Sequence, residues 1–191
     1  MQASRIALAA VAAGFALTTA ACAQSMMADE QAVVTVGGAP MYPTRNIVEN
    51  AVNSADHTTL VAAVQAAGLV DTLSGPGPFT VFAPTNDAFA ALPAGTVDTL
   101  LQPANRATLT KVLTYHVVPG RTSAADLTAA IRAGGGSARL TTVSGDTLVA
   151  RIEGGNVVLT DEKGGKATVT QADVFQSNGV IHVTDAVSIP E

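Results

Sequence analysis

At 191 residues and 48% hydrophobic content, the chain has room for one domain behind a processed leader. Fifteen acidic against ten basic residues give a formal charge of −5, and the Lys and Arg residues are scattered rather than clustered. Nucleic acid and anionic membrane surfaces both need a basic patch, so both are set aside as partners.

The first element is a leader. Arg5, an apolar run over residues 6–17 and small residues over 18–23 make the pattern of a signal peptide. The 12-residue run is too short for a bilayer core, which takes about 20 residues. Two cleavages fit. Ala21-Cys22-Ala23 suits ordinary signal peptidase and would release Gln24, whereas Thr19-Ala20-Ala21-Cys22 reads as a lipobox with Cys22 carrying the lipid. Cys22 is the only cysteine, so no intrachain disulfide forms and a lipid there is the one expected link to a membrane. The organisation expected is a signal peptide over 1–23, a flexible linker over 24–44 and a globular domain over 45–190. Gly37-Gly38-Ala39-Pro40 and Pro43 are the breakers that mark the linker.

Helices come next. Ile47, Val48, Ala51 and Val52 recur at helical spacing, and Asp56 can cap a second helix with Leu60, Val61, Val64 and Ala67 as its stripe and Gly68 as its stop. Residues 79–83 read as a short buried strand. Pro84-Thr85 then starts a helix whose first-turn amides the Thr85 hydroxyl can cap, and Asn86 and Asp87 suit the same turn. Further helices are predicted over 96–101, 103–115 and 124–132, the last capped by Ser123. The hydrophobic period then changes to two. Strands are predicted over 140–143, 147–152, 157–160, 167–170 and 180–187, with tight turns at Gly154-Gly155 and Lys163-Gly-Gly165. That order gives an α+β fold with helices packed to one side of an antiparallel meander.

Three segments resemble the signature blocks of the fasciclin (FAS1) family. They are Phe79-Thr-Val-Phe-Ala-Pro-Thr-Asn-Asp-Ala-Phe89, the pair Tyr115-His116, and Val180-Ile-His-Val-Thr-Asp-Ala-Val-Ser-Ile-Pro190. The resemblance covers roughly residues 45–190. It implies an antiparallel β-wedge of two small sheets flanked by several helices, in an exported module that binds a cell-surface or matrix protein or glycan. Adhesive relatives further imply partner contacts at Asp173-Val174 and at Tyr115-His116.

The residues themselves support a structural reading of the blocks. Phe79, Phe82 and Phe89 are core, Thr85 and Asn86 belong to a strand-to-helix turn, and Asp185 follows the last strand. His116 lies on an apolar helix stripe and His182 on a strand face, where a hydrogen-bonded core histidine is the expectation. No metal is called for, because no pair of His57, His116 and His182 has ligand spacing. Asp161-Glu162 reads as a solvated turn. No cofactor motif and no catalytic motif such as Gly-x-Ser-x-Gly or His-Glu-x-x-His occurs. A carrier of a small apolar ligand, such as a carotenoid or lipid, is the second functional reading and a hydrolase the third. The resemblance to the fasciclin family leaves room for a carrier, which would need an apolar groove between sheet and helices.

Overall fold

The computed structural model describes residues 33–190. The signal peptide, Cys22 and the first part of the expected linker lie outside them. The described chain begins with a hairpin, β1 (Val34–Val36) and β2 (Ala39–Met41), turned by Gly37 and Gly38 at φ +56° and +74°. Val36, Ala39 and Met41 are buried in the main core. The linker reading therefore fails from residue 34 onward. The same glycines that look like breakers supply the positive φ values of a two-residue hairpin turn.

Helices α1 (Ile47–Ala51), α2 (Thr58–Ala67) and α3 (Val70–Ser74) follow. An Asn46–Glu49 capping box starts α1, and it ends early, leaving Val52 outside and exposed. Gly68 stops α2 in the left-handed region, as expected. Asp56 does not cap α2; it sits in a 3-10 turn, Ala55–His57, that leads into the helix.

Strand β3 (Phe79–Pro84), helices α4 (Asn86–Ala90), α5 (Thr96–Leu100) and α6 (Arg106–Tyr115), strand β4 (Val117–Pro119) and helix α7 (Ala124–Ala133) come next. The chain then makes the meander β5 (Ser137–Thr141), β6 (Thr147–Glu153), β7 (Asn156–Thr160), β8 (Lys166–Gln176) and β9 (Gly179–Thr184).

The larger sheet has seven strands in the order β4-β3-β9-β8-β7-β6-β5. Every neighbouring pair is antiparallel except β3 and β9, which run parallel from Phe79 opposite Gly179 to Pro84 opposite Thr184. The expected two small sheets are two parts of this ladder joined along β8, beside the separate β1–β2 hairpin. Between Val169 and Val174 the β8–β9 register shifts twice, and Asp173 there takes φ +58°. Such bulges bend a strand and increase its twist. The two sheet edges meet, with Val143 N–H donating to the Val117 carbonyl at 2.7 Å. Neither edge is left as a long open template for strand pairing.

Two cores result. Val81, Ala83, Ile181 and Val183 face α1, α2 and α6. Phe82, one residue out of phase, faces the other way into a second core with Tyr115, Leu127 and Ile131 of α7, and Leu148 and Leu159 of the meander. Helices therefore sit on both faces of the β3–β9 pair, not on one. Strands buried on both faces lose the alternation that would reveal this.

Candidate functional site

The first and last signature blocks, about 100 residues apart in sequence, are adjacent strands in space. Phe82 stacks on His182, with ring centroids 5.5 Å apart and planes 25° apart. Thr85 caps α4 by accepting the Ala88 N–H, and Phe89 is buried in the main core. Phe79 is only half-buried at its edge. Asn86 does not serve its own turn. Its side-chain oxygen accepts the Thr59 N–H at 3.0 Å and the Thr58 hydroxyl at 3.1 Å, and its amide donates to the Ala55 carbonyl at 2.7 Å. It thus supplies across space the N-terminal cap that α2 lacks locally. Asp185 pins β8 by accepting the Thr168 N–H at 2.6 Å.

Each histidine is buried and held separately. His116 donates from Nδ1 to the Val112 carbonyl at 2.7 Å and accepts the Ser188 N–H at Nε2 at 3.0 Å. His182 donates from Nε2 to the Thr122 carbonyl at 2.9 Å and accepts the Asp173 N–H at Nδ1 at 3.3 Å. Those partners fix one neutral tautomer in each ring. His57 pairs through Nδ1 with the Ser54 hydroxyl at 2.9 Å, while Nε2 closes no hydrogen bond. Burial lowers all three pKa values below 6.5; nearby backbone groups (of Ala83, Val112 and Thr122) and carboxylates oppose it in part. Among the described residues no group of three His, Cys, Asp or Glu could hold a metal ion.

The four residues assigned to partner contact are placed differently from that expectation. Tyr115 is fully buried; its hydroxyl donates to the Thr147 carbonyl at 2.9 Å, and burial pushes its pKa up to about 12. His116 and Val174 are buried as well. As folded, these three support the core and offer no surface to a partner. Asp173 alone reaches solvent, and its Oδ1 accepts the Ala124 N–H at 2.7 Å, adding a carboxylate to the first turn of α7. Asp173→Ala should lower stability by about 1–2 kcal/mol, since the acceptor of the Ala124 N–H is lost, though Ser123 still caps α7, while a φ of +58° remains with a side chain suited poorly to it. Asp173→Asn, which keeps the acceptor and tolerates that φ, should stay within about 0.5 kcal/mol of wild type. Urea unfolding of the two variants checks both.

Of two further structural polar residues, sequence reasoning did not single out Asn178 and misread Asp161. Asn178 accepts the Ile47 N–H at 3.0 Å and donates to the Leu73 and Gly75 carbonyls at 2.8 and 2.9 Å. Asp161, expected to be solvated, is buried and accepts the Lys163, Gly165 and Ile189 amides at 3.1, 2.6 and 2.9 Å. The partners of Asn178 are up to 131 residues away, so local pattern gave no signal for it, whereas Asp161 joins a local turn to the distant Ile189.

Where a carrier would need an apolar groove, the structure has a narrow slot. Ile47, Val48 and Ala51 of α1 face Val61 and Val64 of α2 over Val81 of β3. It offers about 40 Å³ of space to a water-sized sphere. A neighbouring space of about 30 Å³ shares Ile47, Ala51, Leu60 and Val81 with it and is bordered by His57.

A bent sheet with helices on both faces, and signature side chains turned inward to hold backbone, defines a compact α+β module. The chain belongs to the fasciclin family: the fasciclin-domain model matches residues 55–190. It is 48% identical to protein sll1483 of Synechocystis sp. over 177 residues, 93% of this chain and 91% of that one. It is 34% identical to immunogenic protein MPB70 of Mycobacterium bovis over 174 residues, 88% of this chain and 80% of that one. Its fold is similar to a FAS1 domain pair from the insect cell adhesion molecule fasciclin I, with a TM-score of 0.67 at 19% identity over 75% of this chain and 50% of that one. No helix among the described residues is long and apolar enough to cross a membrane.

Proposed function

We propose that this chain is an exported, non-enzymatic module that binds a protein or glycan partner at the cell envelope or in the extracellular matrix. The leader pattern over residues 1–23 supports export, with Cys22 as the lipid site if the lipobox is used. The observation that carries the binding reading is the inward commitment of the signature residues, which leaves recognition to exposed loops and element ends. One such place stands out chemically. The Arg45 guanidinium lies 4.9 Å from the centre of the exposed Tyr42 ring, just before α1. Tyr and Arg are, with Trp, enriched at interface hot spots. Asp173, with its free edge towards solvent, is the second contact in this proposal.

The test is capture from envelope fractions and culture fluid by the immobilised mature chain. Tyr42→Ala with Arg45→Ala should reduce recovery of a specific partner at least tenfold at unchanged far-ultraviolet circular dichroism, about 1.4 kcal/mol or more. Equal recovery by the variant would reject this surface. The apolar slot favours a carrier as the second reading, although 40 Å³ is far below the ~300–1,000 Å³ of ordinary ligand sites. Recovery of no protein or glycan, with a pigment or lipid co-purifying, would favour the carrier.

A further inference from the structure

The chain after β9, residues 185–190, is held in an unusual way. Asp185 is the last residue there, among those described, whose amide bonds to a backbone carbonyl, that of Thr168 at 3.1 Å. Beyond it the Ser188 N–H goes to His116 Nε2 at 3.0 Å and the Ile189 N–H to Asp161 Oδ2 at 2.9 Å. Side chains therefore take the place of a sheet ladder. Ser188 and Pro190 are nonetheless buried, Ala186 packs on the second core, and Val187 packs on the first. The segment lies as a strap over both cores.

The His116 tether works in one protonation state only. Nδ1 already donates to the Val112 carbonyl, so Nε2 can accept from Ser188 only while it carries no proton. A proton arriving at Nε2 would set two N–H groups against each other at hydrogen-bond distance. We propose that residues 185–190 form a strap latched by the neutral imidazole of His116 and released when that ring takes up a proton. Release uncovers the apolar seams beneath Ala186 and Val187.

The charges around the latch are few. Asp161 faces His116 from the turn between β7 and β8. Tyr115, whose ring meets His116 edge-on at 6.4 Å, also faces Glu162 and Asp146, and Asp146 pairs with Lys111 at 3.7 Å. Burial disfavours charge on His116 more than the Val112 carbonyl and Asp161 favour it, so proton uptake and exposure to water occur together. The latched state is thus complete above about pH 6.5 and is lost as pH falls towards the lower value of the closed ring.

Nuclear magnetic resonance of the full chain between pH 7.5 and 5.0 tests the latch. The expected result is that the Val187 and Ser188 amides move to disordered-chain positions, with their heteronuclear Overhauser effects falling by half or more. The Val180, Ile181 and Val183 amides of β9 should hold their native positions over the same range. In His116→Gln the strap should show no pH response. Ser188→Pro, which removes the donor without touching the ring, should have a disordered strap already at pH 7.5. The proposal is overturned if the strap amides keep their positions to pH 5.0, if they move only together with β9, or if His116→Gln responds as wild type does.

Discussion

Asn178→Ala is expected to lower the unfolding free energy by roughly 3–5 kcal/mol, the larger single-residue effect anticipated in this fold. The side chain is 6% exposed and saturates one donor and two acceptors of the backbone. Truncation leaves the Ile47 N–H and the Leu73 and Gly75 carbonyls without partners, and each unsatisfied buried group costs about 1–3 kcal/mol. The loss also loosens the start of α1 and the end of α3, which Asn178 ties to the turn between β8 and β9. Asp at this position is no rescue. It could still accept from Ile47, but it would turn a carboxylate oxygen towards two carbonyls, so Asn178→Asp should be at least as destabilising as Ala. Urea midpoints at pH 7.5, with an unchanged slope, measure both variants. A change below about 1 kcal/mol would mean that water replaces the lost bonds.

Stability should fall steeply on mild acidification, before most carboxylates titrate. His57, His116 and His182 are buried and neutral, and burial depresses each pKa in the folded state. In the unfolded chain the same rings take protons near pH 6.5. Between the two values the unfolded state binds more protons, so the contribution is fully present above about pH 6.5 and drains away as pH drops through the folded values. Within its own window each ring contributes at most about 1.4 kcal/mol per pH unit. Urea unfolding at several pH values reads the slope directly. Release of the strap first would reduce the slope to that of two rings, because His116 would then take its proton in the folded chain. A stability flat to within 1 kcal/mol from pH 7.5 to 5.0 would show that the rings protonate in place.

Much of the architecture was legible in the sequence, and the failures share a cause. The apolar stripe of α2, the Thr85 and Ser123 caps, the meander turns and the buried character of His116 and His182 are local patterns, and the structure contains each of them. The fasciclin family was identifiable from three short segments. Misreadings fell where a residue's partner is distant. Asn86 looked like a turn residue and instead caps α2, 27 residues back, through the Thr59 N–H. Asp161 looked solvated and ties a turn to the strap. Gly37 and Gly38 looked like linker and close a hairpin whose apolar residues reach the core.

The sequence by itself determined most of the helices, the strands of the meander, the family and the lack of a second cysteine for an intrachain disulfide, because periodicity, caps, turns and cysteine count are encoded within a few residues or in composition. Only the tertiary structure decided that the two end blocks lie side by side in parallel, with Phe82 against His182. It alone turned Tyr115, His116 and Val174 inward and left Asp173 at the surface. The physical reason is that a strand buried on both faces carries no mark of which face meets which core. That choice is made by the packing of segments roughly 100 residues apart, and it decides which family residues support the scaffold and which reach the surface.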